Sequence, residues 1–178
     1  MKRHFELMAN YNQWMNAKVY DAASKMSESE ITKDRGAFFG SVLGTLNHIA
    51  VGDIIWLKRF ATHPGSTKAL QNVSDLPNPG SLDGMLFDNF RSLRRHRNWL
   101  DDQIIRWVSA LEDKGLDCVL SYRNTKGIAS DKRFSSLIMH FFNHQTHHRG
   151  QASVLLSQAG QDIGVTDLLA LIPQDVAV

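Results

Sequence analysis

The chain has 178 residues, 43% of them hydrophobic and 21% charged, which is enough for one domain over residues 1–178 with a buried core. A formal net charge of +2 leaves no strong field to attract phosphate backbones, and the single cysteine, Cys118, excludes an intrachain disulfide framework and argues against a cysteine-based metal site. No apolar run approaches the roughly 18 to 20 residues needed to span a bilayer, and no apolar stretch follows Lys2 and Arg3, so a soluble cytoplasmic protein is expected.

From residue 5 to residue 26 apolar side chains recur at helical spacing, with Leu7, Tyr11 and Trp14 on one stripe and Met8, Met15, Val19 and Ala22 on its neighbour. No glycine or proline interrupts the run, and Ser27 to Gly36 closes it. A second helix is predicted from about residue 38 to residue 60, ending before His63, Pro64 and Gly65. Residues 62–80, rich in Pro, Gly, Ser and Asn, form a long connection that could cross the bundle or lie over a site. A third helix is predicted to start at Ser81 and reach about Leu111. On it, Arg91, Arg94, Arg95 and Arg97 read as a solvated face rather than a nucleic-acid patch. Leu116 to Tyr122 alternates and, with Asn124, Gly127 and Ser130 as turn residues, reads as a short strand or hairpin. The last helix is predicted from about Ser135 to Gln158, stopped by Gly160 and followed by a short apolar segment, Leu168 to Ile172. Four long amphipathic helices with little strand imply an all-α four-helix bundle.

Eight histidines are present, four of them on the last helix: His140, His144, His147 and His148. Residues i and i+4 stack on one helix face with β-carbons roughly 5 to 6 Å apart, so two imidazoles at that spacing can reach one ion. Both His140/His144 and His144/His148 have the spacing. The apolar stripe through Leu137, Phe141 and Leu155 carries His144 and His148 inward, near a Gly150 that would let another backbone approach, and favours that pair. A third ligand has to come from another helix. His48 is the candidate, framed by Gly44 and Gly52, whose small size leaves space for its imidazole to project inward, although a single inward histidine also reads as a hydrogen-bonded core residue. His4, His63 and His96 read as surface residues and Cys118 as a small buried hydrophobe. The run from His144 to His148 lacks the glutamate of a zinc-protease motif. Asp53 lies roughly 140° round the helix from His48, a poor position for a base.

Three segments resemble the DinB family of DinB/YfiT-like metal-dependent enzymes. They are Leu7 to Ala17 with Tyr11, Trp14 and Asn16; Leu46 to Leu57 with His48, Asp53 and Trp56; and Asn143 to Gln151 with His144, His148, Arg149 and Gly150. Tyr122, Asn124, Lys126 and Gly127 resemble the family's hairpin before the last helix. The resemblance implies an up-down-down-up bundle, a homodimer, and a metal triad falling on His48, His144 and His148, with His147 outside the ligand set. It also implies a small-molecule substrate, with a low-molecular-weight thiol among the candidates, and a thiol-dependent transferase or hydrolase whose catalytic residues are unassigned.

Three protein ligands leave one coordination position open, as in catalytic zinc sites. Imidazoles accept zinc, nickel, copper and iron alike; zinc or nickel is the divalent ion expected. Arg149 and Gln151 are candidates to steady the ligands or an anionic group. The competing reading is a non-catalytic metal-binding, stress-response bundle acting through dimerisation, with Trp14 or Trp107 exposed at the interface. No nucleic-acid or membrane partner is expected.

Overall fold

The computed structural model describes residues 1–174. The first long helix, α1 (Lys2–Ala23), buries Phe5, Ala9, Met15, Val19 and Ala22 along the face its periodicity marks. Ser27 does more than close it. Its hydroxyl accepts from the Glu30 amide and caps a short helix, α2 (Glu28–Thr32), that buries Ile31. The next long helix, α3 (Val42–Phe60), starts at the cap Ser41, whose hydroxyl accepts from the Gly44 amide at 3.0 Å. It therefore begins later than residue 38: Ala37 and Gly40 pair in a tight turn in which Gly40 has φ +71°, leaving Phe38 and Phe39 outside the helix. A one-turn helix, α4 (Gln71–Ser74), interrupts the long connection after α3.

The third long helix corrects the expected start at Ser81. α5 (Phe90–Ala110) begins at Asn89, whose side chain accepts from the Ser92 amide at 2.9 Å. Residues 81–88 are instead held as an irregular strap by Asn47 on α3. Its carboxamide donates to the Phe87 carbonyl and accepts from the Phe87 amide, both at 3.0 Å. A side-chain amide that pairs both ways with a main-chain segment satisfies groups which would otherwise enter a helix. The strap thereby crosses α3 beside His48.

After α5 a short helix, α6 (Asp113–Leu116), leads into the antiparallel hairpin of β1 (Val119–Arg123) and β2 (Ala129–Arg133), with Tyr122 opposite Ser130. Its turn is closed by Asn124, whose side chain accepts from the Lys126 and Ile128 amides. The last long helix, α7 (Phe134–Gln158), follows directly and ends before Gly160, φ +76°. A 3₁₀ turn at Leu168–Leu171 lies in the tail, which Tyr11 ties back to α1 by donating to the Thr166 carbonyl.

Side-chain contacts fix the helix directions. The start of α1 meets the end of α5, where Lys2 reaches the Ser109 carbonyl, and its end meets the start of α5, where Asp21 pairs with Arg94. Phe60, at the end of α3, stacks on Trp107 of α5 at 5.1 Å and meets Phe134, the first residue of α7. So α1 and α7 run one way and α3 and α5 the other, the up-down-down-up bundle. α1 packs between α5 and α7, and so does α3. Trp107 is fully buried and donates to the Ser66 hydroxyl, so it is a core residue and not an exposed interface residue. None of the described helices is long and apolar enough to cross a membrane.

Candidate metal centre

Midway along the bundle the core is polar. Arg97, assigned to the solvated face by its arginine-rich neighbourhood, is 1% exposed and pairs with Asp53 of α3 and with Asp101, 3.0 Å away on its own helix. Asp101 also accepts from Asn12 and Asn16 of α1 at 3.1 and 2.8 Å. Gln145 of α7 donates to Asp53, and Arg149 of α7 donates to Asn12. Two arginines and two aspartates balance in charge, and burial raises the Asp101 carboxyl to about 6 even with Arg97 beside it. Asp53 and Gln145 immediately follow Gly52 and His144 in the chain, and Arg149 immediately follows His148. The network therefore sets the rotation of α3 and α7 about their axes. Arg149 is committed to this network rather than to the histidines.

On the adjoining face of those helices His48, His144 and His148 come together, with a ring nitrogen of each within 4.8 Å of the others. The ring centroids lie 5.3, 4.3 and 4.4 Å apart for His48–His144, His48–His148 and His144–His148. His48 Nδ1 donates to the Leu82 carbonyl of the strap at 2.7 Å. His148 Nδ1 donates to Gln151 Oε1 at 2.8 Å, and the Gln151 amide nitrogen faces His147 Nε2 at 3.4 Å. With both Nδ1 atoms donating outward, each Nε2 carries a lone pair, and the two Nε2 atoms face each other at 3.1 Å. Two acceptors at that separation repel unless a positive centre lies between them. A cation bonded to imidazole nitrogens at roughly 2.0 to 2.1 Å in tetrahedral geometry spans donors about 3.3 Å apart, close to the spacing here. The donor set fits a borderline-soft divalent ion, and the group could hold one.

His144 is the deepest of the three in electrostatic terms. Burial first, and the neighbouring imidazoles second, lower its pKa to about 3. Burial also lowers His48 and His148, against which the Leu82 and Gln151 hydrogen bonds work. All three are therefore neutral near pH 7, the form that ligates. Among the described residues His144 has no hydrogen-bond partner for either nitrogen.

The two glycines that frame His48 act differently from the expectation that they make room for its ring. A β-carbon at Gly52 would sit 2.7 Å from His144 Cε1, so Gly52 is the seat of the partner histidine. At Gly44 it would meet the Phe39 carbonyl at 2.1 Å. Phe39 packs there and stacks its ring on His48 at 3.9 Å and 18°, a wall of the site that periodicity does not reveal because Phe39 lies outside the helix. Gly150 has open space around it, so no backbone approaches there. His140 and His147 are exposed and outside the cluster, although the His140 ring lies 6.1 Å from His144. Two assignments reverse: His63 is buried, 7% exposed and stacked on Phe134, whereas Cys118 is exposed.

The profile of the DinB family matches residues 1–175. The chain is 23% identical over 160 residues, covering 88% of this chain and 87% of its relative, to Protein DinB of Bacillus subtilis (strain 168). No solved structure matches.

Proposed function

The chain belongs to the DinB family, and we propose that it binds one divalent metal ion, zinc or nickel, on His48, His144 and His148 and acts as a metal-dependent thiol transferase or hydrolase. The observation that carries this reading is the pair of Nε2 lone pairs aimed at each other across 3.1 Å, with His144 beside them and unpartnered. Leu82 and Gln151 orient two of the rings, as acceptors behind metal-binding histidines do. When bound, such an ion offers Lewis acidity and lowers the pKa of a thiol or water held beside it. His48 is 6% exposed, whereas His144 and His148 are only partly covered, so a small molecule reaches the cluster from their side. Phe39 shields the His48 ring from water. Asp53 is engaged by Arg97 and Gln145, so it is not a free base, and proton transfer falls to substrate, solvent or the exposed His140 and His147.

A reducing, cytoplasmic setting, a homodimer and a small thiol co-substrate complete the reading, with no nucleic acid as partner. The test is elemental analysis of protein purified without added metal, with the three histidines replaced singly by alanine, alongside a thiol-transfer assay of His48→Ala. One ion per chain in the parent and none in the variants is expected. Equal transfer rates in parent and His48→Ala would remove the catalytic part and leave a non-catalytic metal-binding bundle.

A further inference from the structure

Beyond the strap that carries Leu82 lies a cleft of about 730 Å³, the size of small-molecule sites. Its walls are the second half of α3, residues 78–82 and the hairpin. No aspartate or glutamate lines it, whereas Lys58, Arg59 and Arg123 do, together with Ser81, Asn124 and Thr125 as hydrogen-bonding groups. Two of the three cations are committed: Lys58 donates to the Ser74 and Leu76 carbonyls and Arg123 to the Gly127 carbonyl.

Arg59 is different. Its guanidinium lies over the Trp56 and Tyr122 rings, 4.7 and 5.1 Å from their centroids, half-buried. Among the described residues it donates to no acceptor and pairs with no carboxylate, although a guanidinium offers five N–H donors in a planar fork suited to oxyanions. Stacking on two rings holds that fork in place before any ligand arrives.

We propose that Arg59 is the anchor of an anion-binding subsite in this cleft, receiving the carboxylate or phosphate end of an elongated small substrate. The subsite is joined to the three histidines by two routes. Leu82 lines the cleft and accepts from His48. The Trp56 ring, which Arg59 covers, lies 5.0 Å from His140, itself 6.1 Å from His144. Along α3, Arg59 is two turns from Gly52, where His144 sits, or roughly 10 Å. A ligand about that long would place its reactive end at the histidines while its charge rests on Arg59. This substrate class rests on the proposed metal-dependent reading, but the subsite itself is separable from it.

The test titrates the chelator-stripped full chain with S-methylglutathione, which carries carboxylates and no free thiol, and separately with inorganic phosphate, following the Trp56 indole NMR signal. Binding of at least one probe to the parent is expected, with the responding probe distinguishing a carboxylate from a phosphate ligand. Arg59→Met should weaken it about tenfold or more, the worth of a charge-assisted hydrogen bond, with Arg59→Lys in between. The diethyl ester of S-methylglutathione should bind as poorly to the parent as the acid binds to Arg59→Met. Failure of both probes to bind the parent, or parent-like affinity in a folded Arg59→Met, overturns the subsite. Should the parent bind anion through Arg59 yet take up no zinc, the subsite stands and the metal-dependent reading falls.

Discussion

Two polar clusters share the interior of this bundle, and they are built on opposite plans. Around Arg97 the charges cancel, and donors on α1, α5 and α7 converge on the carboxylates of Asp53 and Asp101. Around His48, the Leu82 carbonyl and the Gln151 side chain turn two imidazoles so that their Nε2 atoms face each other, with His144 beside them. A buried cluster whose charges balance among its own members specifies structure, holding four helices in one register. One built of neutral imidazoles drawn together is suited to a ligand from outside. The two stand side by side because the first determines where the second points: Asp53 follows Gly52, Gln145 follows His144 and Arg149 follows His148.

The comparison can be broken most sharply at the histidines. Replacing His48, His144 or His148 with alanine should reduce bound metal from one ion per chain to none, read by elemental analysis, while thermal unfolding of the metal-free protein moves little. At Arg97 the reverse pattern is expected. Arg97→Met removes the cation paired directly with Asp53 and Asp101, leaving only Arg149 to balance two buried carboxylates, and should cost about 3 to 5 kcal/mol in denaturant unfolding. If Arg97→Met proves neutral for stability, the division into a structural and a functional cluster fails.

Smaller effects sharpen the same division. Gly52→Ala gains about 1 kcal/mol of helix propensity but presses a methyl onto His144 Cε1. Metal affinity should fall by about 10- to 100-fold while stability stays within about 1 kcal/mol, as zinc titration and melting would show. Gln151→Ala removes the acceptor behind His148, and a loss of about tenfold in zinc affinity is expected with no change in unfolding. The pH dependence has a definite sign. The unfolded chain takes up protons on these rings below about pH 6.5, whereas burial keeps His144 neutral to about 3 and His96 to about 4. Stability of the metal-free protein is therefore full above about 6.5 and falls as the pH drops towards 4, by an amount on the order of a few kcal/mol. A melting temperature unchanged between pH 7 and pH 5 would contradict it.

Much of this was legible in the chain. α1 and α7 carry long uninterrupted periodic runs, and the His144/His148 spacing with a glycine-framed His48 pointed to the three residues that the fold brings together. What was not legible depends on pairing between distant segments. Nothing local in residues 81–88 announces that Asn47 will hold Phe87, so the sequence there resembles a helix start at Ser81 and nothing marks the Leu82 carbonyl behind His48. Arg97 sits among more exposed arginines, and although Asp101 stands four residues on along the same helix, it is the carboxylate of Asp53 on α3 that the local sequence does not announce. Gly52 looks in sequence like space for its own helix's histidine, whereas the close approach comes from α7.

A crystal of the full chain soaked in zinc, with anomalous diffraction recorded across the zinc edge, addresses the central claim directly. A single strong anomalous peak is expected between Nε2 of His48 and Nε2 of His148, within bonding distance of His144. A map with no peak among these rings, or one in which the His48 ring has turned away from the other two, would contradict it.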